Sequence, residues 1–214
     1  MSRPNAGLHR RLLAEEMLLP PGVTPPGSRG VVLGAALRLF AEHGYGGTSV
    51  RDIAKETGIQ PATMYAHYPS KEHVLSELIK IAHDEHHRRL KAALQDAGSD
   101  PRKQMAALVR AHVRSHSDYP MLAVVGNSEL HALSPKLAAP ALELRKQSER
   151  LLLDVIQRGV KSRVFKTPDP WLAVAAIGAM GIRVANWFTP DFDKSAEEVA
   201  DIYAEYALRI LGAK

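Results

Sequence analysis

Four polar side chains occur close together in one short stretch of this sequence: Gln60, Thr63, Tyr65 and His67. The stretch PATMYAHY, which directly follows Gln60, is too polar for a helix that only fills a protein interior, since Met64 can face inward but its other large side chains have polar tips. Glutamine, threonine and histidine side chains hydrogen-bond to the edges of bases, whereas tyrosine hydroxyls, lysine ammonium groups and amides at a helix start hold phosphates. The chemistry that these residue types predict is therefore contact with a nucleic acid.

The residues around this stretch predict two short helices joined by a tight turn. Ser49 can cap the first helix, and Asp52 completes an approximate capping box with it. Gly58 ends that helix because glycine reaches the left-handed backbone region without a steric cost. Pro61 suits the first position of the next helix, which Pro69 prevents from running further. A helix, a turn and a second short helix are the arrangement that places the second helix in the major groove of DNA.

The segment from Arg29 to about Leu78 resembles the DNA-binding domain of TetR-family transcriptional repressors. The resemblance is carried by the continuous run LGAALRLFAEHGYGGTSVRDIAKETGIQPATMYAHYPSKEHVL, which contains AxxLFxxxGYxxTSVxxIA and ends on YxHYPSKE. It implies base-facing or groove-facing roles for Gln60, Thr63, Tyr65 and His67. It implies phosphate contacts for Thr48, Ser49, Tyr68 and Lys71. Pro61 and Ala62 complete the predicted DNA-binding surface, although the family often has serine or a basic residue at the first position and glycine at the second.

Composition narrows the class of protein without identifying it. The 214 residues include 28 lysines and arginines against 23 acidic residues, and the net charge of +5 permits nucleic-acid binding. The absence of cysteine excludes disulfides and cysteine-based zinc sites and fits a reducing compartment. No secretory segment is recognisable, and Arg183 and Asn186 interrupt the most apolar stretch. We expect a soluble cytoplasmic protein that does not enter a membrane.

The rest of the chain reads as helices separated by proline and glycine. A long helix is predicted from Lys71 to about Ala97, and further helices are predicted at about 101–117, 121–132, 135–160, 168–188 and 194–212. Strand-like alternation of apolar and polar residues is absent, so we predict an all-α fold. Its expected parts are a leader at 1–27, a three-helix helix-turn-helix DNA-binding domain at 28–72, and a larger helical ligand-binding and dimerisation domain at 73–214.

The leader admits three interpretations. Leucines and Met17 at helical spacing, beside several arginines, trace an amphipathic helix that the run PPGVTPPG ends. It is a flexible leader with a transient helix, a basic arm that follows the DNA backbone or minor groove, or an apolar stripe that packs on the protein itself. The sequence does not choose among them.

The family resemblance also implies a homodimer that pairs through its last two long helices and binds a pseudo-palindromic operator. It further implies a small-molecule effector that binds the C-terminal domain. The stretch AMGIRVANWFTPDFD, with SAEEVADIYAEYAL after it, resembles a subgroup that responds to acyl-CoA thioesters. Arg183 could pair with a phosphate or carboxylate of such a ligand, Asn186 could hydrogen-bond it, and Trp187 offers a stacking face. Tyr119 and Phe165 are further candidates for lining a pocket, and each of these residues also suits an ordinary core or dimer seam.

Metal binding and catalysis are the other classes of function that the residue types raise. His83 and His87, and likewise His112 and His116, are four residues apart, which is a spacing that metal ligands on a helix can have. Polar helix faces commonly carry histidines, so we predict no metal and no cofactor; only two such pairs brought together by packing would make a site. We also predict no catalytic residues, since no motif of a known catalytic site occurs. The remaining rival is a helical small-molecule carrier that does not bind DNA.

Overall fold

The structure, a computed structural model, describes residues 19–213. This part of the chain contains nine α-helices and no strand, which confirms the all-α prediction. The helices are α1 Ser28–His43, α2 Val50–Thr57, α3 Pro61–His67, α4 Lys71–Asp96, α5 Pro101–Asp118, α6 Pro120–Ser128, α7 Pro135–Lys161, α8 Pro170–Trp187 and α9 Ala196–Ile210. The amphipathic helix predicted for the leader falls before residue 19 and lies outside the described part, so its three interpretations stay predictions. None of the helices within 19–213 combines the length and the apolar character that crossing a membrane requires.

One predicted helix is shorter than expected. The sequence predicted a single helix over 121–132, but α6 ends at Ser128 and a short 3-10 turn, Leu130–Ala132, follows it. The Asn127 side-chain amide donates to the carbonyl of Ala123, at 2.8 Å. Side chains that bond to the backbone within one turn compete with helix continuation, which accounts for the early end.

The chain forms two compact units. The first, here called the head, contains the described residues up to Glu85 together with Met121–Leu142. The second, here called the body, contains His86–Pro120 and the described residues from Glu143 onward. Both α4 and α7 contribute residues to each unit.

The head core explains how the short helices are held. The first four helices contribute fully buried side chains, among them Leu33, Leu37, Phe40, Ile53, Met64, Leu75 and Leu78. Val31 is an apolar residue of α1, but its side chain is 54% exposed. The buried face of α1 is centred on Phe40 and its neighbours at helical spacing, and residue 31 falls on the opposite side.

The body core is built from α5, α7, α8 and α9 with the second half of α4. Its buried members include Leu90, Met105, Leu108, Val155, Ile156, Ile177, Val184 and Ala207. Ion pairs of Arg110 with Asp201 and of Arg114 with Glu197 join α5 to α9 at the rim of this core. Close packing in this core fixes the positions of α8 and α9, whose outer faces lie at the surface of the body.

Candidate nucleic-acid interface

The first helix of the predicted pair begins with the capping box that the sequence indicated. The Asp52 amide donates to Ser49 Oγ at 3.2 Å, and the Ser49 amide donates to Asp52 Oδ2 at 2.8 Å. Hydrogen bonds from the Ser49 side chain and amide lower the pKa of Asp52. The reciprocal bonds satisfy amides that the first turn of a helix leaves unpaired, and they fix where α2 starts.

The turn between the two helices is set by Gly58. Its φ of 69° lies in the left-handed region, and its amide donates to carbonyls in the last turn of α2. Gln60 then adopts an extended conformation before Pro61, which occupies the first turn of α3. A side chain with a Cβ would strain the backbone at position 58, so the glycine fixes the angle between α2 and α3.

α3 has one buried side and one exposed side. Met64 is fully buried (0% exposed), and the Tyr65 side chain beside it is 53% exposed. The other exposed residues at this helix are Gln60, Ala62, Thr63, Ala66 and His67, while Pro61 is half-buried. We call the exposed set, with Tyr65, the α3 face. His67 Nε2 lies 2.7 Å from Ser28 Oγ, so the start of α1 holds the last turn of α3.

Two residues that were predicted to contact phosphate have internal tasks instead. Thr48 is buried, and its hydroxyl lies 3.1 Å from the carbonyl of Leu39 and 3.0 Å from that of Gly44. Tyr68 is also buried, and its hydroxyl accepts a hydrogen bond from Arg29 Nε. Burial keeps both side chains away from any phosphate, so we withdraw these two predicted contacts.

Lys71 and Ser49 keep a place at the surface while they also brace the head. The Lys71 ammonium donates to the carbonyls of Tyr45 at 2.7 Å and Thr48 at 2.6 Å, and it lies 4.0 Å from the centre of the Tyr45 ring. Burial lowers the pKa of Lys71. An ammonium group has three N–H donors, so one remains for a phosphate. Ser49 is exposed, although its hydroxyl is engaged with Asp52.

Sequence reasoning missed a contact that joins three helices of the head. The Arg29 guanidinium forms an ion pair with Glu77 at 2.7 Å and lies 5.2 Å from the centre of the Tyr68 ring. Burial raises the pKa of Tyr68, so its hydroxyl stays protonated. Arg29 and Glu77 are 48 residues apart, and no local pattern connects them. Together these bonds tie the start of α1 to α4 and to the end of α3.

The five residues predicted for an effector site have different surroundings in the body. Phe165 is a core residue packed on Gly159, where an added Cβ would lie 2.1 Å from the ring. Trp187 packs against Phe192, with ring centres 5.3 Å apart, and its ring is stacked on Tyr203 at 6.4 Å. Phe165 therefore belongs to the body core, and its role in lining a pocket stays a prediction.

The other three predicted effector residues are more accessible. The Arg89 guanidinium carbon lies 4.9 Å from the centre of the half-buried Tyr119 ring. Arg183 is exposed and Asn186 is half-buried, both in the second half of α8. Their accessibility leaves them available to a ligand or to a second copy of the chain, and the role of each stays a prediction.

A capped helix, a glycine turn and a short helix whose polar side is exposed define the helix-turn-helix class of DNA-binding proteins. Comparison with known proteins identifies the family. Residues 32–78 match the family described as bacterial regulatory proteins of the tetR family. Residues 98–211 match the family described as the tetracyclin repressor-like C-terminal domain. The chain belongs to the TetR family, and it is accordingly a DNA-binding transcriptional regulator, which disfavours the carrier alternative.

Individual relatives span nearly the whole chain. The TetR-family transcriptional regulator PfmR from Thermus thermophilus is 34% identical, covers 83% of this chain and 97% of its own, and superimposes with a TM-score of 0.75. The HTH-type transcriptional repressor KstR2 of Rhodococcus jostii is 27% identical over 85% of this chain and 90% of its own length. AibR, solved in complex with isovaleryl coenzyme A and operator DNA, is similar in fold at 21% identity, with a TM-score of 0.75 over 86% of this chain and 97% of its own.

Proposed function

We propose that this protein is a homodimeric repressor whose two α3 faces read a pseudo-palindromic operator, and that an acyl-CoA thioester releases it. The observation that carries the DNA-binding part is the α3 face itself, because polar side chains stand outward from a helix that buried Met64 anchors. Residues 28–72 serve as the DNA-binding domain and 73–214 as the ligand-binding and dimerisation domain. Its place of action is the cytoplasm, where its DNA partner is found.

The base-facing roles belong to Gln60, Thr63, Tyr65 and His67. Their side chains can meet groove edges, since each is exposed at α3 or immediately before it. Phosphate contacts belong to Ser49, to the third N–H of Lys71, and to the Ala62 amide at the start of α3, where the helix dipole favours an anion. One short helix offers few contacts, and two copies bound to neighbouring major grooves on one side of the duplex supply a specific interface.

The outer surface of the body supports dimer formation. Trp171 is 64% exposed and Leu172 is 60% exposed on α8, and Ala175, Ala176 and Ala179 continue this surface. Tyr206 and Ile210 are exposed on α9. Contiguous apolar surface of this kind marks an interaction site, and the small alanines allow close approach of a partner helix. Other residues at the same end of the chain, Ala173, Gly181, Val199 and Leu211, are buried within the body and serve its core.

An acyl-CoA effector is supported by the residue run from Ala179 to Asp193 and by the fold shared with AibR, which was solved with isovaleryl coenzyme A. Trp187 offers a ring for an acyl chain or a base, and Arg183 offers a cation for a phosphate. A ligand releases DNA only if it binds the released conformation more tightly than the DNA-bound conformation. Repression by KstR2 supports the assignment as a repressor rather than an activator.

Capture of genomic DNA fragments tests the DNA-binding proposal. The immobilised full-length protein should enrich a small set of fragments that share an inverted repeat, whereas a variant carrying Thr63→Ala and Tyr65→Ala should retain only weak, sequence-independent binding. A carrier without DNA-binding function would enrich no fragment, with or without these substitutions. Circular dichroism of both proteins controls for folding, because exposed residues are replaced.

A further inference from the structure

Three histidine side chains from two helices meet in the body. His86 lies on α4, and His112 and His116 lie on α5. One ring nitrogen from each lies within 4.8 Å of those from the other two. The ring centres are 5.0 Å apart for His86 and His112, 5.6 Å for His86 and His116, and 4.6 Å for His112 and His116. We call these residues the histidine cluster.

The cluster differs from the arrangement considered at the level of sequence. Of the two pairs with helical spacing, His112 and His116 are members, but His83 and His87 are not. His87 Nδ1 instead lies 3.1 Å from Ser148 Oγ. His86 and His87 are consecutive residues of α4, so their side chains leave the helix about 100° apart. Only the packing of α4 on α5 shows that His86, and not His87, joins the cluster.

Backbone carbonyls fix the tautomers of the two buried members. His112 Nε2 donates to the carbonyl of Gly178 at 3.0 Å, and His116 Nδ1 donates to the carbonyl of His112 at 2.8 Å. In a neutral imidazole, the nitrogen opposite the N–H carries a lone pair. His112 Nδ1 and His116 Nε2 are therefore the acceptor atoms. Histidines that bind metals characteristically donate their other N–H to a carbonyl or carboxylate in this way.

Gly181 makes room for the cluster. A Cβ at this position would lie 2.1 Å from His112 Cδ2 and 2.4 Å from His112 Nε2. Any larger residue at position 181 would displace the ring and break its bond to Gly178. The His112 ring is held against α8 on one side, and His86 Nε2 lies 2.8 Å from its Nδ1 on the other.

We propose that His86, His112 and His116 form a binding site for one divalent metal ion of the zinc type, with a fourth coordination position open to water or to a ligand. Three imidazoles without a carboxylate suit Zn²⁺, Ni²⁺ or Co²⁺ rather than Mg²⁺ or Ca²⁺. Zinc–nitrogen bonds of about 2.0 Å in tetrahedral geometry place the ligand nitrogens about 3.3 Å apart. His86 is half-buried, so it can adjust to that spacing and leaves a path for the ion. The site is independent of the proposed effector.

Metal binding is measured directly on the purified full-length protein, prepared without a histidine tag and stripped by a chelator. Co²⁺ should bind at one ion per chain with the intense visible absorption of a four-coordinate site, and Zn²⁺ should displace it. His86→Gln should weaken Co²⁺ binding at least tenfold. His87→Gln, which removes a neighbouring histidine outside the cluster, should leave the affinity unchanged.

Gly181→Ala provides a second test that keeps all three ligands. Its methyl group displaces the His112 ring, and the loss of such positioning costs about ten- to a hundredfold in metal affinity. Unfolding of any variant is detected by circular dichroism. The alternative is a purely hydrogen-bonded cluster, in which His86 donates to His112 Nδ1. Two results would overturn the proposal. The first is a wild-type protein that shows no stoichiometric Co²⁺ absorption, and the second is a folded His86→Gln variant that binds Co²⁺ as tightly as the wild type.

Discussion

At the scale of single residues, adjacent positions on α3 have opposite tasks. Met64 is fully buried and Tyr65 is largely exposed, so one residue holds the helix in place and the next is available to a partner. Other residues of the head differ in the same way. The Lys71 ammonium donates two hydrogen bonds within the head and has a third N–H for a partner, whereas the side chains of Thr48 and Tyr68 are buried. Substitutions at these residues therefore separate binding from folding.

Tyr65→Ala should lower operator affinity by about ten- to a hundredfold, as expected for loss of a groove or phosphate contact of about 1–3 kcal/mol. The helix content and the melting temperature should stay unchanged because the side chain is exposed. Gel-shift titration measures the affinity. Met64→Ala is the contrasting variant: it should destabilise the head by about 2–5 kcal/mol through the cavity it leaves. Unaltered operator affinity of Tyr65→Ala would contradict the role assigned to this residue.

At the scale of elements, both α2 and α9 start with a capping box. Ser49 pairs with Asp52, and Ser195 pairs with Glu198, whose pKa is lowered by hydrogen bonds from the Ser195 amide and hydroxyl. α2 is only eight residues long. Short helices depend on their caps and on tertiary packing because nucleation is unfavourable. The position of α3 therefore depends on a cap one helix earlier.

Ser49→Ala should lower the melting temperature by a few degrees at neutral pH and weaken operator binding, because α2 then frays. Asp52 has a folded-state pKa below its ordinary value of 3.8. Its contribution is therefore complete above that ordinary value and is lost as the pH falls through the lowered folded-state pKa. Thermal melts recorded from pH 7 downward should show the difference between the wild type and the variant narrowing once the pH falls below the ordinary value. A constant difference between them would contradict the role of the cap.

The outer face of α8 is the part of the proposed dimer seam that a single substitution can test. Ala179→Glu places a carboxylate in the middle of the proposed dimer seam, where desolvation of an unpaired charge costs about 3 kcal/mol or more. The dimer dissociation constant should rise by about a hundredfold. Light scattering after size exclusion measures it. Ala92→Glu on α4, another exposed helical alanine, is the matched control and should remain dimeric. Equal dimer stability of the two variants would exclude this face from the seam.

At the scale of the whole molecule, DNA binding and effector binding must be coupled, because a repressor that is released has to lose DNA affinity when its ligand binds. The coupling is reciprocal: a ligand that weakens DNA binding is itself bound less tightly in the presence of DNA. Coupling free energies of this kind are typically about 1–3 kcal/mol.

An acyl-CoA thioester should therefore lower operator affinity by about five- to a hundredfold, and operator DNA should lower acyl-CoA affinity by the same factor. Fluorescence anisotropy of labelled operator, titrated with acyl-CoA, free CoA and the free fatty acid, measures the first effect. Calorimetry with and without DNA measures the second. The Tyr65→Ala variant should still bind the thioester with the affinity of the DNA-free protein. Release by the free acid alone would assign the effector to another chemical class.

The positions of most helix ends, and the DNA-binding motif, could be predicted from the sequence alone. Caps, glycine stops and proline starts act within a few residues, so Ser49, Gly58 and Pro61 set the bounds of α2 and α3 without help from the rest of the chain. The outward, polar side of α3 could be anticipated for the same reason, because it depends on helical periodicity around a single apolar residue, Met64.

Tertiary structure alone decided which polar side chains are enclosed and which long-range groups meet. Thr48 and Tyr68 carry hydroxyls that suit a phosphate equally well in the sequence, and only packing against α1 and α4 shows that they face inward. The ion pair of Arg29 with Glu77 joins residues that are 48 positions apart. The hydrogen bond between His86 and His112 joins residues that are 26 positions apart. Such contacts arise from the docking of whole helices, and local propensity carries no information about that docking.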